Sequence, residues 1–311
     1  MKILVAGELN PDLILQGYEI FPTPGKEILV DDLNLTMGSA SAICAMGLAR
    51  LGNRVSFLAK VGKDPWGEFC TGILEEGGID TSRVIRDANL KTGLTVSVSA
   101  PSKDRALVTY LGAISELEGG DIRDEVLSGF DHLHISSYFL QQKLRRDVRS
   151  VFALARRLGL STSLDPGYDP SERWESDLIE TLPEVHVFFP NEVELSAITG
   201  EQQPAEALRK LANGRTLTVA KLGGNGCMAF DGGEIVEVPA IPVKPIDTTG
   251  AGDSFNAGFI HAWLRKFSLR DAMRFASVCG GLSTQGVGGT SAQATEGQVH
   301  TYLNSSTGSF R

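Results

Sequence analysis

Seven residues, Asp247-Thr248-Thr249-Gly250-Ala251-Gly252-Asp253, lead into Ser254-Phe255-Asn256-Ala257-Gly258-Phe259. Small residues run up to an acid, and an apolar-faced helix begins there. A helix N-terminus carries unpaired N–H groups and a partial positive charge. Gly250 and Gly252 let an anion approach that backbone closely, which makes a cradle for phosphate oxygens whose charge shifts during transfer. Asp253 beside it can take a proton from an attacking hydroxyl, and the helix N-terminus is expected to keep it ionised. An acidic helix cap with turn-forming glycines is the plain structural alternative.

Other chemistries lack their residues. Gly25-Lys26 meets Glu27 and Gly62-Lys63 meets Asp64, so neither forms a Gly-Lys-Ser/Thr phosphate loop. No Gly-x-Gly-x-x-Gly follows the first apolar run, which disfavours a dinucleotide dehydrogenase. Cys44, Cys70, Cys227 and Cys279 lie too far apart for metal-ligand spacing and are expected to be core residues in a reducing compartment. His132 and His134 share one face of a strand, and such a pair reads as structural. With 29 basic against 38 acidic residues the net charge is −9, which argues against nucleic acid or an anionic membrane as partner. No run reaches the ~18 apolar residues of a membrane span. The opening Met1–Gly7 run is too short for a signal-peptide core, so a cytoplasmic location is expected.

The elements that must hold these residues alternate. Lys2–Gly7, Val55–Lys60, Leu160–Leu164, Val185–Phe189 and Thr216–Ala220 are strand candidates. Between them, helical spacing relates Ala40, Ile43, Cys44, Gly47, Leu48 and Leu51, with Gly52 as the stop. Asp64-Pro65 opens a helix that Gly77-Gly78 ends. Val148, Val151, Phe152, Ala155 and Leu158 form the clearest stripe, ending at Gly159, and further helices are expected over Asn256–Lys266 and Leu269–Ser283. Repeated β-then-α units imply a parallel sheet covered on both faces. Two stretches break this rhythm, Asp12 to Met37 and Lys91 to Ala113, where apolar and polar residues alternate around Pro22-Thr23-Pro24-Gly25 and Pro101-Ser102-Lys103-Asp104. They read as hairpins that combine into a small lid, or else as two unrelated surface hairpins. The Ser/Thr-rich C-terminus is expected to fray.

Five further motifs accompany Asp247–Asp253 in order: Gly7-Glu8-Leu9-Asn10-Pro11-Asp12, Met37-Gly38-Ser39-Ala40-Ser41-Ala42 running on to Gly52, Val61-Gly62-Lys63-Asp64-Pro65-Trp66-Gly67, Asn191-Glu192-Val193-Glu194 and Lys221-Leu222-Gly223-Gly224-Asn225-Gly226. From Gly7 to about Gly288 the chain thereby resembles the ribokinase family, the PfkB-type carbohydrate kinases. The resemblance implies one Rossmann-like α/β domain over residues 1–311. It would have a central, mostly parallel sheet with helices on both faces and a small β lid from about 12–37 and 91–113. It implies transfer of the ATP γ-phosphoryl group to a hydroxyl of a sugar or sugar-like alcohol. Asp253 would be the base and Gly250, Ala251 and Gly252 the anion hole. Asn191 and Glu194 would organise Mg²⁺ and the ATP phosphates, Glu194 through water, although the same pair fits a capping box. Lys221, Gly223, Gly226 and Ser277 would line the nucleotide; Asn10, Asp12, Gly38 and Ser136 would meet the sugar. Asp247 and Thr249 resemble a K⁺ loop whose second half lies around Gly286–Gly289. A homodimer through the lid is the expected assembly.

Departures from the family pattern fall on the sugar side. Met37-Gly38 replaces a Gly-Gly pair, Ala42 an asparagine, and Ser136 an acid; Ser277 stands where several members have an asparagine near adenine. The phosphotransfer half is intact while the sugar-reading half is altered. A nucleoside kinase of the same superfamily and a non-catalytic sugar or nucleotide sensor are the alternatives, the second disfavoured by retention of Asp253 and the full anion hole.

Overall fold

The computed structural model describes residues 1–17, 23–99, 105–174 and 177–306. Its first half runs β1 (Lys2–Ala6), β2 (Pro11–Gln16), β3 (Asp32–Met37), α1 (Ala40–Arg50), β4 (Arg54–Leu58), β5 (Lys60–Gly62), α2 (Pro65–Glu76), β6 (Ile85–Asp87), β7 (Leu94–Ser99), β8 (Arg105–Tyr110), α3 (Asp124–Leu127) and β9 (His132–Ile135). Then follow α4 (Gln142–Arg145), α5 (Val148–Arg157), β10 (Ser161–Leu164), α6 (Leu178–Thr181), β11 (Val187–Phe188), α7 (Glu192–Thr199), α8 (Pro204–Leu211) and β12 (Leu217–Lys221). The chain closes with β13 (Cys227–Asp231), β14 (Glu234–Val238), α9 (Ala251–Leu264), α10 (Leu269–Ser283) and α11 (Glu296–Ser306).

Eight strands form the central sheet in the order β14-β13-β12-β11-β10-β9-β1-β4, parallel from β12 to β4 and antiparallel at the β13–β14 edge. Strand alternation sends Ile3 and Val5 of β1 into one core, with residues of α1, α2, α9, α10 and α11. Leu4 and Ala6 enter the other, with residues of α3 to α8. All four cysteines are buried and free. The chain leaves β1 toward β4 on one side and reaches β9 on the other. The carboxyl ends of β1 and β9 therefore form the switch point at which open α/β sheets bind ligands.

The two expected hairpins do combine into a lid, ordered β3-β2-β7-β8. Each is antiparallel within itself, and β2 joins β7 in parallel. One lid face carries Asp12, Ile14, Thr36, Thr95 and Ser97; the other aligns Leu13, Leu15, Leu33, Leu35, Val96, Val98, Ala106 and Val108. The expected turns at 22 and 101–104, and residues 307–311 of the C-terminus, lie outside the described residues. Of the boundaries that differ from expectation, two have a plain cause. β4 stops at Leu58, because Lys60 begins the separate β5–β6 pair. α9 starts at Ala251, five residues before the expected Asn256, because its first turn is built of small residues that leave no apolar stripe.

Candidate active site

Gly250 caps α9 in the left-handed conformation, φ 70°. A Cβ there would lie 2.8 Å from both Gly289 Cα and Ile43 Cγ2, so the sequence needs glycine on two grounds. The approach to α9 is fixed by Asp247. Its Oδ1 accepts from Thr249 N at 2.9 Å and Thr249 Oγ1 at 2.7 Å, and its Oδ2 accepts from Gly288 N at 2.8 Å. The two halves of the expected cation loop are thereby joined. A Cβ on Gly288 would meet Thr36 of the lid at 3.5 Å, so this loop also touches β3. Ala251 N donates to Thr248 O at 3.3 Å, which leaves the amides of Gly252 and Asp253 as the first-turn donors the helix itself cannot satisfy.

A buried lysine and carboxylate pair lies opposite that helix start. Lys221, the last residue of β12, reaches past the end of β11 to Asp165, which follows β10. Its Nζ donates to Asp165 Oδ2 at 2.5 Å and to Asn256 Oδ1 at 3.4 Å. Asn256 Nδ2 donates to the same Asp165 oxygen at 2.6 Å, and Gly167 N donates to Asp165 Oδ1 at 2.9 Å. The side chains of Lys221 and Asp165 are only 12% and 6% exposed. The acids around Lys221 hold its ammonium protonated against the pull of burial, and the Lys221 charge in turn keeps the buried Asp165 carboxyl below the usual range. A Cβ on Gly252 would sit 3.6 Å from Lys221 Nζ, which places the ammonium beside the anion hole. The Lys221 backbone pairs with Cys227 where β12 enters the glycine turn, while its side chain lies against α9. Burial, and next the Asp165 charge, push the Asp253 carboxyl well up, opposed by Lys221. Desolvation thus overrides the depression that the helix N-terminus alone would cause.

Asn191 and Glu194 form the capping box that starts α7. Glu194 N donates to Asn191 Oδ1 at 2.9 Å, and Asn191 N donates to Glu194 Oε2 at 2.8 Å. Asn191 also bridges to Lys221. Burial, and then Asp165, push the Glu194 carboxyl up to about 7 against the pull of Lys221. The cap thus leaves the Glu194 carboxyl within the field of both Asp165 and Lys221. Gly226, at φ 90°, leaves no room for a Cβ against the Val238 carbonyl, whereas Gly223 faces open space.

Toward the lid, Asn10 Nδ2 donates to Asp12 Oδ1 and to Thr95 Oγ1, each at 3.4 Å. A Cβ on Gly38 would collide with the Asp12 carboxylate, so these three residues meet. Ser136, expected on the sugar side, turns its hydroxyl to a histidine, and Ser277, expected at the nucleotide, lies beside Cys227 at the end of the glycine turn. Ser136 is fully buried, with its hydroxyl 2.7 Å from His134 Nε2, and Ser277 is buried with its hydroxyl 3.6 Å from Cys227 Sγ. Sequence reasoning gave no role to Glu8, which fills the β1–β9 switch point. It accepts from Ser41 N at 3.1 Å, Ser41 Oγ at 2.6 Å and Ser137 Oγ at 2.9 Å. Nor did it single out Asp165 or Asn256. The available signals were an acid directly after a buried strand, and an amide one helical turn beyond Asp253.

Residues 1–296 match the family described as pfkB family carbohydrate kinase, and the chain belongs to that family. A nucleoside kinase of Methanothermobacter thermautotrophicus is 28% identical over 276 residues, 88% of this chain and 86% of the relative. An Arabidopsis thaliana ribokinase complexed with ribose and ATP has the same fold, with a TM-score of 0.83 at 23% identity, over 97% of this chain and 98% of that one. A double-mutant fructokinase from Vibrio cholerae, in a form with fructose, ADP and potassium ion bound, is 26% identical with a TM-score of 0.79, over 97% and 98% of the two chains.

Proposed function

We propose that this chain transfers the γ-phosphoryl group of ATP to a hydroxyl of a sugar or sugar-like alcohol. The observation that carries the reading is the start of α9, where Gly250, Ala251, Gly252 and Asp253 meet the buried Lys221–Asp165 pair at the carboxyl ends of the sheet. The acceptor oxygen attacks the γ-phosphorus and the bond to the β-bridging oxygen breaks. ADP leaves, and the hydroxyl proton passes to the Asp253 carboxylate. A carboxylate made more basic by desolvation suits that task better than an exposed one. Asn10 and Asp12, with Gly38 allowing close approach, hold two neighbouring hydroxyls of the acceptor. With the hydroxyl of Ser136 engaged by His134, recognition rests on the Asn10–Asp12 side.

Mg²⁺ fits the donor set. Asn191 and Glu194 would organise the ion, Glu194 through water, in keeping with a metal that retains several waters and favours oxygen ligands. When bound, it offsets charge on the transferring phosphates. The Asp247–Thr249 loop, closed by Gly288, is the place for K⁺. For assembly, the apolar lid face is offered to a second copy of this chain. Leu33 and Val108 on it are 56% and 64% exposed. Val108→Asp should shift the protein to monomer in light scattering after size exclusion; an unchanged mass removes the lid from the interface.

An ATP-consumption screen over sugars, sugar acids, sugar phosphates and nucleosides tests the reaction. Turnover with a sugar-type alcohol is expected. Turnover with nucleosides alone would move the chain to the nucleoside kinases, and none with any acceptor would overturn the reading.

A further inference from the structure

We infer that Lys221 is the cation that meets the transferring phosphoryl group, and that Asp165 and Asn256 are positioning residues that hold its ammonium there. The inference rests on the kinase reading above. Lys221 extends from the end of β12 along the wall of the anion hole. A Cβ on Gly252 would lie 3.6, 3.7 and 3.8 Å from its Nζ, Cδ and Cε, so the whole tail is laid against the first turn of α9. Asp165 accepts from Lys221 and Asn256 on one oxygen and from Gly167 N on the other, which fixes its carboxylate plane. Asn256 lies three residues after Asp253 and so shares its face of α9. One helix face therefore presents the base and the residue that steadies the lysine.

A purely structural ion pair is a poor account of this arrangement. Burying a pair recovers little stability against an apolar one, and here an amide from a second element is added only to orient it. Of the three ammonium protons, two go to Asp165 and Asn256, and no described residue takes the third. An ammonium so placed next to Gly252 supplies charge where the equatorial γ-phosphoryl oxygens develop it, and it needs no reorganisation to do so.

The test compares affinity for ADP with affinity for ADP plus aluminium fluoride, a mimic of the transferring phosphoryl group, in the presence of Mg²⁺ and the best acceptor from the screen. Wild type should bind the fluoride complex far more tightly than ADP. Lys221→Met should keep ADP affinity and sugar KM within a few-fold, lose most of the fluoride tightening, and lower kcat by about 10²-fold or more. Lys221→Arg should recover part of both. Asp165→Asn keeps the shape but weakens the grip, and should lower kcat by about tenfold or more with sugar KM unmoved. Because Lys221→Met leaves a buried unpaired carboxylate, the double variant Lys221→Met with Asp165→Asn removes both charges. It should fold and still lack the tightening. Tightening equal to wild type in that double variant overturns the role of Lys221 alone. No tightening in wild type overturns the kinase reading, and this inference with it.

Discussion

Asp253 occupies two environments at once: the positive end of α9, and a cluster of acids around a buried lysine. Burial and the Asp165 charge prevail, and its carboxyl is pushed up, so its ionised form is a competent base. Asp253→Asn keeps the volume while removing proton acceptance, and should lower turnover by at least ~10²-fold with ADP affinity little changed. Retention of more than half the wild-type rate would show that the proton goes elsewhere. In the proposed reaction Asp12 meets the other partner. Its Oδ1 already accepts from Asn10, and its carboxylate lies against Gly38, so the acid is held in place for a diol. Asp12→Ala strands hydroxyls in a closed site, a penalty of roughly 1–3 kcal/mol, or about ten- to a hundredfold in kcat/KM for the sugar. KM for ATP should stay put; a loss of ATP affinity instead would reassign Asp12.

At the scale of elements, the sequence was legible where an element declares itself locally. α10 follows its apolar spacing over the whole of Leu269–Ser283, and α2 begins at the Asp64-Pro65 cap, where Asp64 accepts from Gly67 N. The glycine motif at α9 marked the turn that Gly250 makes into the helix, although its lack of apolar side chains hid where the helix starts. Pairings across the chain were not legible. Lys221 ends β12 and Asp165 follows β10, 56 residues apart, and only the sheet order brings them together. Likewise the parallel β2–β7 pairing sets the lid, and alternation within a strand does not name its neighbour. The contact between Asp247 and Gly288 N also spans 41 residues, and no local pattern announces it. A loop closed on a carboxylate beside the anion hole should make the rate respond to monovalent cations. Modest stimulation by K⁺ over a bulky organic cation is expected, and equal rates in both would remove the ion from this loop.

For the molecule as a whole, the core between sheet and helices holds more than hydrocarbon. His132 and His134 of β9 lie in register with Ser161 and Ser163 of β10. Ser161 Oγ donates to the Asp131 carbonyl, and this sets the direction of a continuous ladder. His132 Nδ1 then donates to Ser161 and Ser163 to His132 Nε2; His134 Nδ1 donates to Ser163 and Ser136 to His134 Nε2, with spacings of 2.7–2.8 Å. The tautomers are assigned from that network. Every group is satisfied only while both rings are neutral. Burial agrees, pushing His132 well below its ordinary value and His134 down to about 4. His261, stacked on Phe275, is likewise pushed down to about 4. Because the unfolded chain takes up these protons first, each ring's contribution is complete above its unfolded value of about 6.5 and is lost as pH falls toward 4. The raised carboxyls of Glu194 and Asp253 act in the opposite sense, gaining stability as pH falls, so the wild-type curve alone does not isolate the ladder. A difference does. His134→Gln removes one titrating ring, and the stability gap between it and wild type in urea unfolding should shrink by on the order of 2 kcal/mol between pH 7.5 and pH 5. A gap that stays constant over that range would mean that His134 takes up its proton as readily in the native protein as in the unfolded chain, and that the ladder does not run in this direction.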